Sequence, residues 1–161
     1  MEYYLLLTHL ADHWRLFFEL LWETGIRIGE ALAIERKDFQ DAGVWITREK
    51  RADHLREHIP LTGGLYSRLR IHSLSHKEVR VFPYTSSAAW LALKKAAAQS
   101  GVRKTMHPHL FRHGMWFRAR QAGNDIAVVQ RLLGHKDMSS TQRYFKATQA
   151  EINEARKKLN R

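Results

Sequence analysis

Apolar residues return at helical intervals along most of this chain, and the points where each run stops carry residues that end or begin helices. That combination limits the order of elements before any composition is counted. Leu6, Leu10, Trp14, Phe17 and Leu21 form the first stripe, which predicts one helix over 2–23 closed by Thr24-Gly25. A short helix is expected over 27–34. Pro108 suits a first helical position, Gly123 the left-handed residue beyond a helix, Asn124 a cap and Gly134 the next stop. With the apolar runs, these marks predict helices over 87–99, 108–122, 125–133, 139–145 and 150–159. Residues 44–47 and 58–61 read as strands bracketing a charged segment, a hairpin with a long polar tip, and 79–82 as a third strand. The expected fold is mainly α with a small antiparallel β-sheet (α+β). Three prolines and no Ser/Gly-rich run leave no linker, so 1–161 reads as a single domain.

Charge narrows the partner. The 161 residues hold 27 Lys+Arg against 16 Asp+Glu, a formal net charge of +11, and the 44% hydrophobic and 11% aromatic content fills a core, which argues against a disordered basic tail. A folded basic domain points to a polyanion, nucleic acid first, although an anionic membrane would suit the same number. Cysteine is absent, which removes disulfides, thiolate catalysis and cysteine-ligated zinc and fits a reducing compartment. No signal peptide is read at the start, and no apolar segment approaches the roughly 20 residues that span a bilayer. A soluble, intracellular protein is expected.

Three segments carry chemistry. In His107-Pro108-His109-Leu110-Phe111-Arg112-His113, helical spacing puts His109, Arg112 and His113 on one face near a helix start, where free N–H groups favour an anion. Taken alone it is an ordinary basic face with one hydrogen-bonded histidine. Zinc on His107, His109 and His113 is a third option, with no carboxylate close in sequence to support it. In Thr24-Gly25-Ile26-Arg27-Ile28-Gly29-Glu30 an arginine follows a helix break with a carboxylate one turn on, either a surface pair or a device that orients the guanidinium fork. Leu132-Leu133-Gly134-His135, followed by Tyr144, suits a helix-turn-helix reader as well as a catalytic segment, and a lone tyrosine near a helix end is usually core.

Taken together and in this order, the segments resemble the tyrosine recombinase (phage integrase) family. Its catalytic domain carries an arginine after a T-G break, a hairpin lysine, an H-x-x-R-H helix, L-G-H and a terminal tyrosine. The matching positions are Arg27 with Glu30, Lys50 as the one lysine of the hairpin tip, His109 and Arg112 followed by His113, His135, and Tyr144. The likeness runs from Leu21 to about Ala147. Phe111 departs from the family's usual leucine, and the hairpin tip is longer than usual. Family members also carry a separate N-terminal helical domain that clamps DNA, for which this chain has no room before Arg27. The resemblance therefore leaves two readings, a catalytic domain excised from a longer protein, which is favoured, or a naturally minimal member.

The resemblance implies that Tyr144 attacks a DNA phosphodiester to give a covalent 3′-phosphotyrosine and a free 5′ hydroxyl, with bond energy kept in the ester and neither a cofactor nor a metal required. Arg27 and Arg112 would hold the nonbridging oxygens, His135 would add a hydrogen bond, His109 would take the phenol proton and Lys50 would protonate the leaving oxygen. Glu30 and His113 would support them. Arg48, Arg51, Lys104, Arg118, Arg120 and Lys136 are expected to track the DNA backbone. Thr148 to Glu151 fits a capping box, and Ile152, Ala155 and Leu159 form a narrow stripe that must dock, in cis or on a neighbour; the resemblance implies self-association on double-stranded DNA through this last helix. A nucleoid-associated cytoplasmic enzyme of bacterial, plasmid or phage origin is expected. The competing readings are a type IB topoisomerase, a non-catalytic helix-turn-helix binder and a histidine-metal nuclease.

Overall fold

The computed structural model describes residues 2–48, 56–102 and 106–133. The expected helices over 139–145 and 150–159 lie outside them. The described chain is mostly helical with one three-stranded antiparallel sheet, as the patterning predicts.

The first stripe makes two helices rather than one, α1 (Glu2–Thr8) and α2 (Asp12–Thr24). The break falls where Thr8 and His9 turn their side chains back onto the Leu5 carbonyl, and Arg15 from α2 donates to the carbonyls of Leu7 and Leu10. Side chains thus compete for the carbonyls a continuous helix would use. α2 carries the core: Phe17, Phe18, Leu20 and Leu21 are buried, and the helix packs against α1, α3 (Ile28–Leu32), α4 (Gly63–Leu74) and α6 (His109–Gln121). α5 (Ser86–Ser100) lies against α1 and α3 with Ala89, Leu93 and Ala96 inward. α7 (Ile126–Leu133) joins α6 in a smaller cluster of Trp116, Ala119, Val129 and Leu133.

The sheet contains β1 (Phe39–Gln40), β2 (Gly43–Thr47) and β3 (Arg56–Pro60) in that order. β2 and β3 form the expected hairpin, with Val44 opposite Ile59 and Ile46 opposite Glu57. The third strand is not where the sequence predicts it. Residues 79–82 make only an isolated bridge, Glu35 to Arg80, while β1 reaches β2 through Asp41 and Ala42 at φ of 50° and 54°. Neither left-handed position is a glycine, so the usual hairpin-turn signal is absent from the sequence. α4 was also unread. Two glycines open it, and with Leu65 and Leu69 inward but Ile71 and Leu74 exposed, it shows no apolar stripe. Among the described residues no helix is long and apolar enough to cross a membrane.

Candidate active site

The turn between α2 and α3 is set by local chemistry. The Thr24 hydroxyl donates to the Leu20 carbonyl at 2.6 Å, and Gly25 takes the left-handed conformation (φ 66°) that ends the helix, its N–H donating to Leu21 O at 2.9 Å. A methyl group on Gly25 would sit 2.7 Å from Leu133 Cδ2 and 2.8 Å from Met115 Cγ, so α6 and the end of α7 close directly onto this turn. Ile26 is buried, and Arg27 follows as the residue before α3.

Arg27 is held by Glu30, one turn on. The carboxylate accepts the Arg27 backbone N–H at 2.8 Å through Oε2 and Arg27 Nη1 at 3.0 Å through Oε1. The Glu30 side chain is 0% exposed, so the surface-pair alternative does not describe it. A second cation meets the same carboxylate, Arg48 Nη1 at 3.2 Å on Oε2, and Arg48 Nε in turn donates to Glu57 Oε2 at 2.7 Å. A buried carboxylate needs such partners because its water has been removed.

This corrects one expectation. Arg48, expected to track the DNA backbone, has a side chain only 1% exposed. It lies just past the end of β2, where the nearby buried Glu30 draws the guanidinium inward. Glu57, its partner on β3, was missed; the signal available was its place opposite Ile46 in the hairpin, one residue from the pair that ends the ladder.

α6 supplies the other half. It begins after Pro108, and Arg112, 6% exposed, points into the fold: Nη1 donates to Gly25 O at 2.6 Å and Nη2 to Leu133 O. Arg112 thus ties the turn carrying Arg27 to the end of α7, the residue before Gly134-His135. His109, one turn earlier, is exposed, and its ring lies 6.2 Å from that of His113. An open groove of about 590 Å³ runs between the starts of α3, α5 and α6, lined by Ile28, Ser86, Ser87, Trp90, His107, Pro108 and His109. His109 therefore faces the same groove as the residue next to Arg27. Ser86, Ser87 and Trp90 were not singled out from the sequence; only the cap at Thr85, accepting from Ala88 N–H, marks where α5 begins.

Arg118 and Arg120 serve the fold from the far end of α6. Arg118 donates to Trp22 O and lies 4.1 Å from the centre of the Trp22 ring, and Arg120 Nη1 donates to Asn124 O at 2.6 Å. Gly114 lets α6 approach Trp22, since a methyl group there would overlap the indole. Lys50, Arg51, Lys104, His135, Lys136 and Tyr144 lie outside the described residues. Of the described tyrosines, Tyr3 and Tyr84 have phenols pushed up from their ordinary range by burial, which suits core packing and not attack. Among the described residues no group of three His, Asp or Glu is placed to hold a metal ion.

What is brought together is a half-buried arginine fork on a buried carboxylate, a second arginine anchored on the carbonyls of Gly25, two residues before the first, and of Leu133, and an exposed imidazole at the adjoining groove. Guanidinium groups held in this way can bind an oxyanion, and an exposed imidazole can take up a proton.

Known proteins share both sequence and fold. The model of the phage integrase family matches residues 2–151. A tyrosine recombinase of Pseudothermotoga lettingae is 31% identical over 157 residues, covering 89% of this chain and 53% of its own length, and tyrosine recombinase XerD of Corynebacterium glutamicum is 29% identical over 153 residues, covering 87% and 50%. The chain thus spans about half the length of the curated relatives it matches. Among solved structures, the XerA recombinase aligns with a TM-score of 0.75 at 20% identity over 89% of this chain and 57% of its own. The catalytic domain of bacteriophage HP1 integrase aligns at 0.71 and 20% identity over 90% and 83%. These two share the fold.

Proposed function

The chain belongs to the phage integrase family, and from that premise we propose that it is the catalytic unit of a site-specific DNA recombinase that cleaves and rejoins strands through a 3′-phosphotyrosine. The observation that carries the reading is the convergence of Arg27 and Arg112 on one turn: Glu30 orients the first, the carbonyl of Gly25 holds the second, and His109 stands on the adjoining groove. Sequence segments 85 residues apart meet there, as an oxyanion site built from both arginines needs.

In this reading Tyr144 attacks phosphorus, its proton passes to His109, and the bond to the 5′ oxygen breaks as Lys50 protonates it. The charge on the nonbridging oxygens is met by Arg27, Arg112 and His135. His113 supports the α6 face. Arg51, Lys104 and Lys136, with Arg118 and Arg120 where their exposed edges allow, add salt-dependent affinity for the duplex. Self-association on DNA through residues 150–159 and action at the nucleoid as a bacterial, plasmid- or phage-encoded enzyme belong to the same proposal. A recombinase bound to its substrate, XerH, and a lambda integrase dimer bound to a core site are among the proteins of this fold, at TM-scores of 0.72 and 0.70.

The test is covalent capture. The 161-residue chain is incubated in EDTA with nicked duplexes of randomised sequence, and denaturant-resistant adducts are recovered and their DNA sequenced. A recombinase yields adducts that share a sequence and vanish in Tyr144→Phe. Binding without adducts favours the helix-turn-helix reading, activity lost in EDTA the metal nuclease, and sequence-indifferent relaxation of supercoils the topoisomerase.

A further inference from the structure

We propose that Arg48 is a positioning residue: through the buried carboxylate of Glu30 it fixes the guanidinium of Arg27 to the β2–β3 hairpin, so that arginine and hairpin hold one geometry during strand cleavage. The inference rests on the recombinase reading and concerns the same site.

Its basis is a run of four side chains of alternating sign, Arg27, Glu30, Arg48 and Glu57, that crosses from α3 through the end of β2 to β3. Each link is at hydrogen-bond distance: 3.0 Å from Arg27 to Glu30, 3.2 Å from Glu30 to Arg48, 2.7 Å from Arg48 to Glu57. The two middle members are almost wholly buried, which is costly for charges unless each is compensated on more than one side. Glu30 fulfils that condition only with Arg48 present. Its Oε1 takes Arg27 Nη1, while Oε2 is shared between the Arg27 backbone N–H and Arg48 Nη1.

A lone Arg–Glu pair one turn apart on a helix contributes little and leaves both side chains free to rotate. Here the carboxylate is pinned from the far side, so its plane, and with it the fork of Arg27, has one orientation. Arg48 stands two residues before Lys50 in sequence and is tied by its Nε to the opposite strand, so the ion chain links the oxyanion-binding arginine to the strand that leads into the hairpin tip. Buried as it is, Arg48 acts on the reaction through Glu30 and not through the phosphate.

The experiment uses the duplex recovered by covalent capture and compares Arg48→Met, Glu30→Gln, the double variant and Glu57→Gln with the unsubstituted chain. Arg48→Met is expected to slow single-turnover cleavage at saturating DNA by about 10- to 100-fold, the scale of a misplaced reacting group, with the Kd for DNA within about twofold. In the Glu30→Gln background the same change should cost nothing further, since the path through Glu30 is already cut. Glu57→Gln should give a milder slowing of about threefold.

An Arg48→Met protein that cleaves at the unsubstituted rate overturns the inference. So does one whose defect is a weaker Kd with a smaller salt slope, the mark of a lost phosphate contact. Should Arg48→Met fail to fold, Glu57→Gln, whose side chain is one-third exposed, decides: an unchanged saturating rate overturns the inference. If the unsubstituted chain forms no adduct, the recombinase reading fails and this inference fails with it, an outcome distinct from failure of the Arg48 variant alone.

Discussion

Two arginines approach the same turn and are held by opposite means. Arg27 is oriented by side chains, a carboxylate that is itself backed by Arg48 and Glu57, whereas Arg112 is oriented by main chain, the carbonyls of Gly25 and Leu133. The first arrangement is adjustable, because each member is a side chain that one substitution can alter. The second is fixed by the backbone and also holds three elements together, so Arg112 carries a larger share of stability than Arg27. A charged group near a scissile bond can be placed either way, and the two placements fail differently.

The sharpest break in that contrast is Glu30→Leu. It takes the buried carboxylate away from Arg48, which keeps Glu57, and puts an apolar group against the guanidinium; it should destabilise the fold by about 3 kcal/mol or more in urea unfolding, more than any change at Arg27. A loss under 1 kcal/mol would mean the ion chain is dispensable. Next in size, Arg112→Met leaves two carbonyls unmet and should cost about 3 kcal/mol of stability as well as most cleavage. Arg27→Met, one residue beyond Ile26, should lower cleavage by about 10²- to 10³-fold with a stability loss of about 1 kcal/mol, since Glu30 keeps Arg48 and the backbone N–H of residue 27. Equal stability losses in the two would erase the distinction drawn here.

Gly25→Ala tests the main-chain side without touching an arginine. A left-handed alanine whose methyl group meets Leu133 and Met115 should cost about 2 kcal/mol and loosen Arg112 by moving its acceptor. Smaller effects lie away from the site. Burial, with His76 and His13 nearby, holds the His72 imidazole below its ordinary pKa, so the unfolded chain binds the proton more readily. Stability then falls as pH drops below about 6.5 and levels off under the folded value, and His72→Leu should flatten that slope in urea titrations. Smallest is Ala42→Gly, which relieves a left-handed alanine in the β1–β2 turn and should gain about 0.5 kcal/mol.

Much of this was legible beforehand where local chemistry decides. Thr24-Gly25 ends α2, Pro108 precedes α6, and the hairpin pairs as its alternation predicts, because caps, turns and period-two patterning act within a few residues. The split between α1 and α2 was not legible, since the apolar stripe runs unbroken across it and the break depends on Arg15 reaching back to α1 carbonyls. α4 was hidden because its helix has no distinct apolar face, and β1 because its turn lacks the usual glycine.

The site divides the same way. Residue order alone places Arg27 with Glu30 one turn on, and His109, Arg112 and His113 on one helix face. Packing settles that Arg48 turns inward to Glu30 rather than outward to solvent, and that Arg112 closes onto Gly25 from 87 positions away. Spacing along a helix is fixed by its 3.6-residue period, but whether a cation is buried depends on which carboxylates and carbonyls the packed elements leave without water, a property of the whole fold.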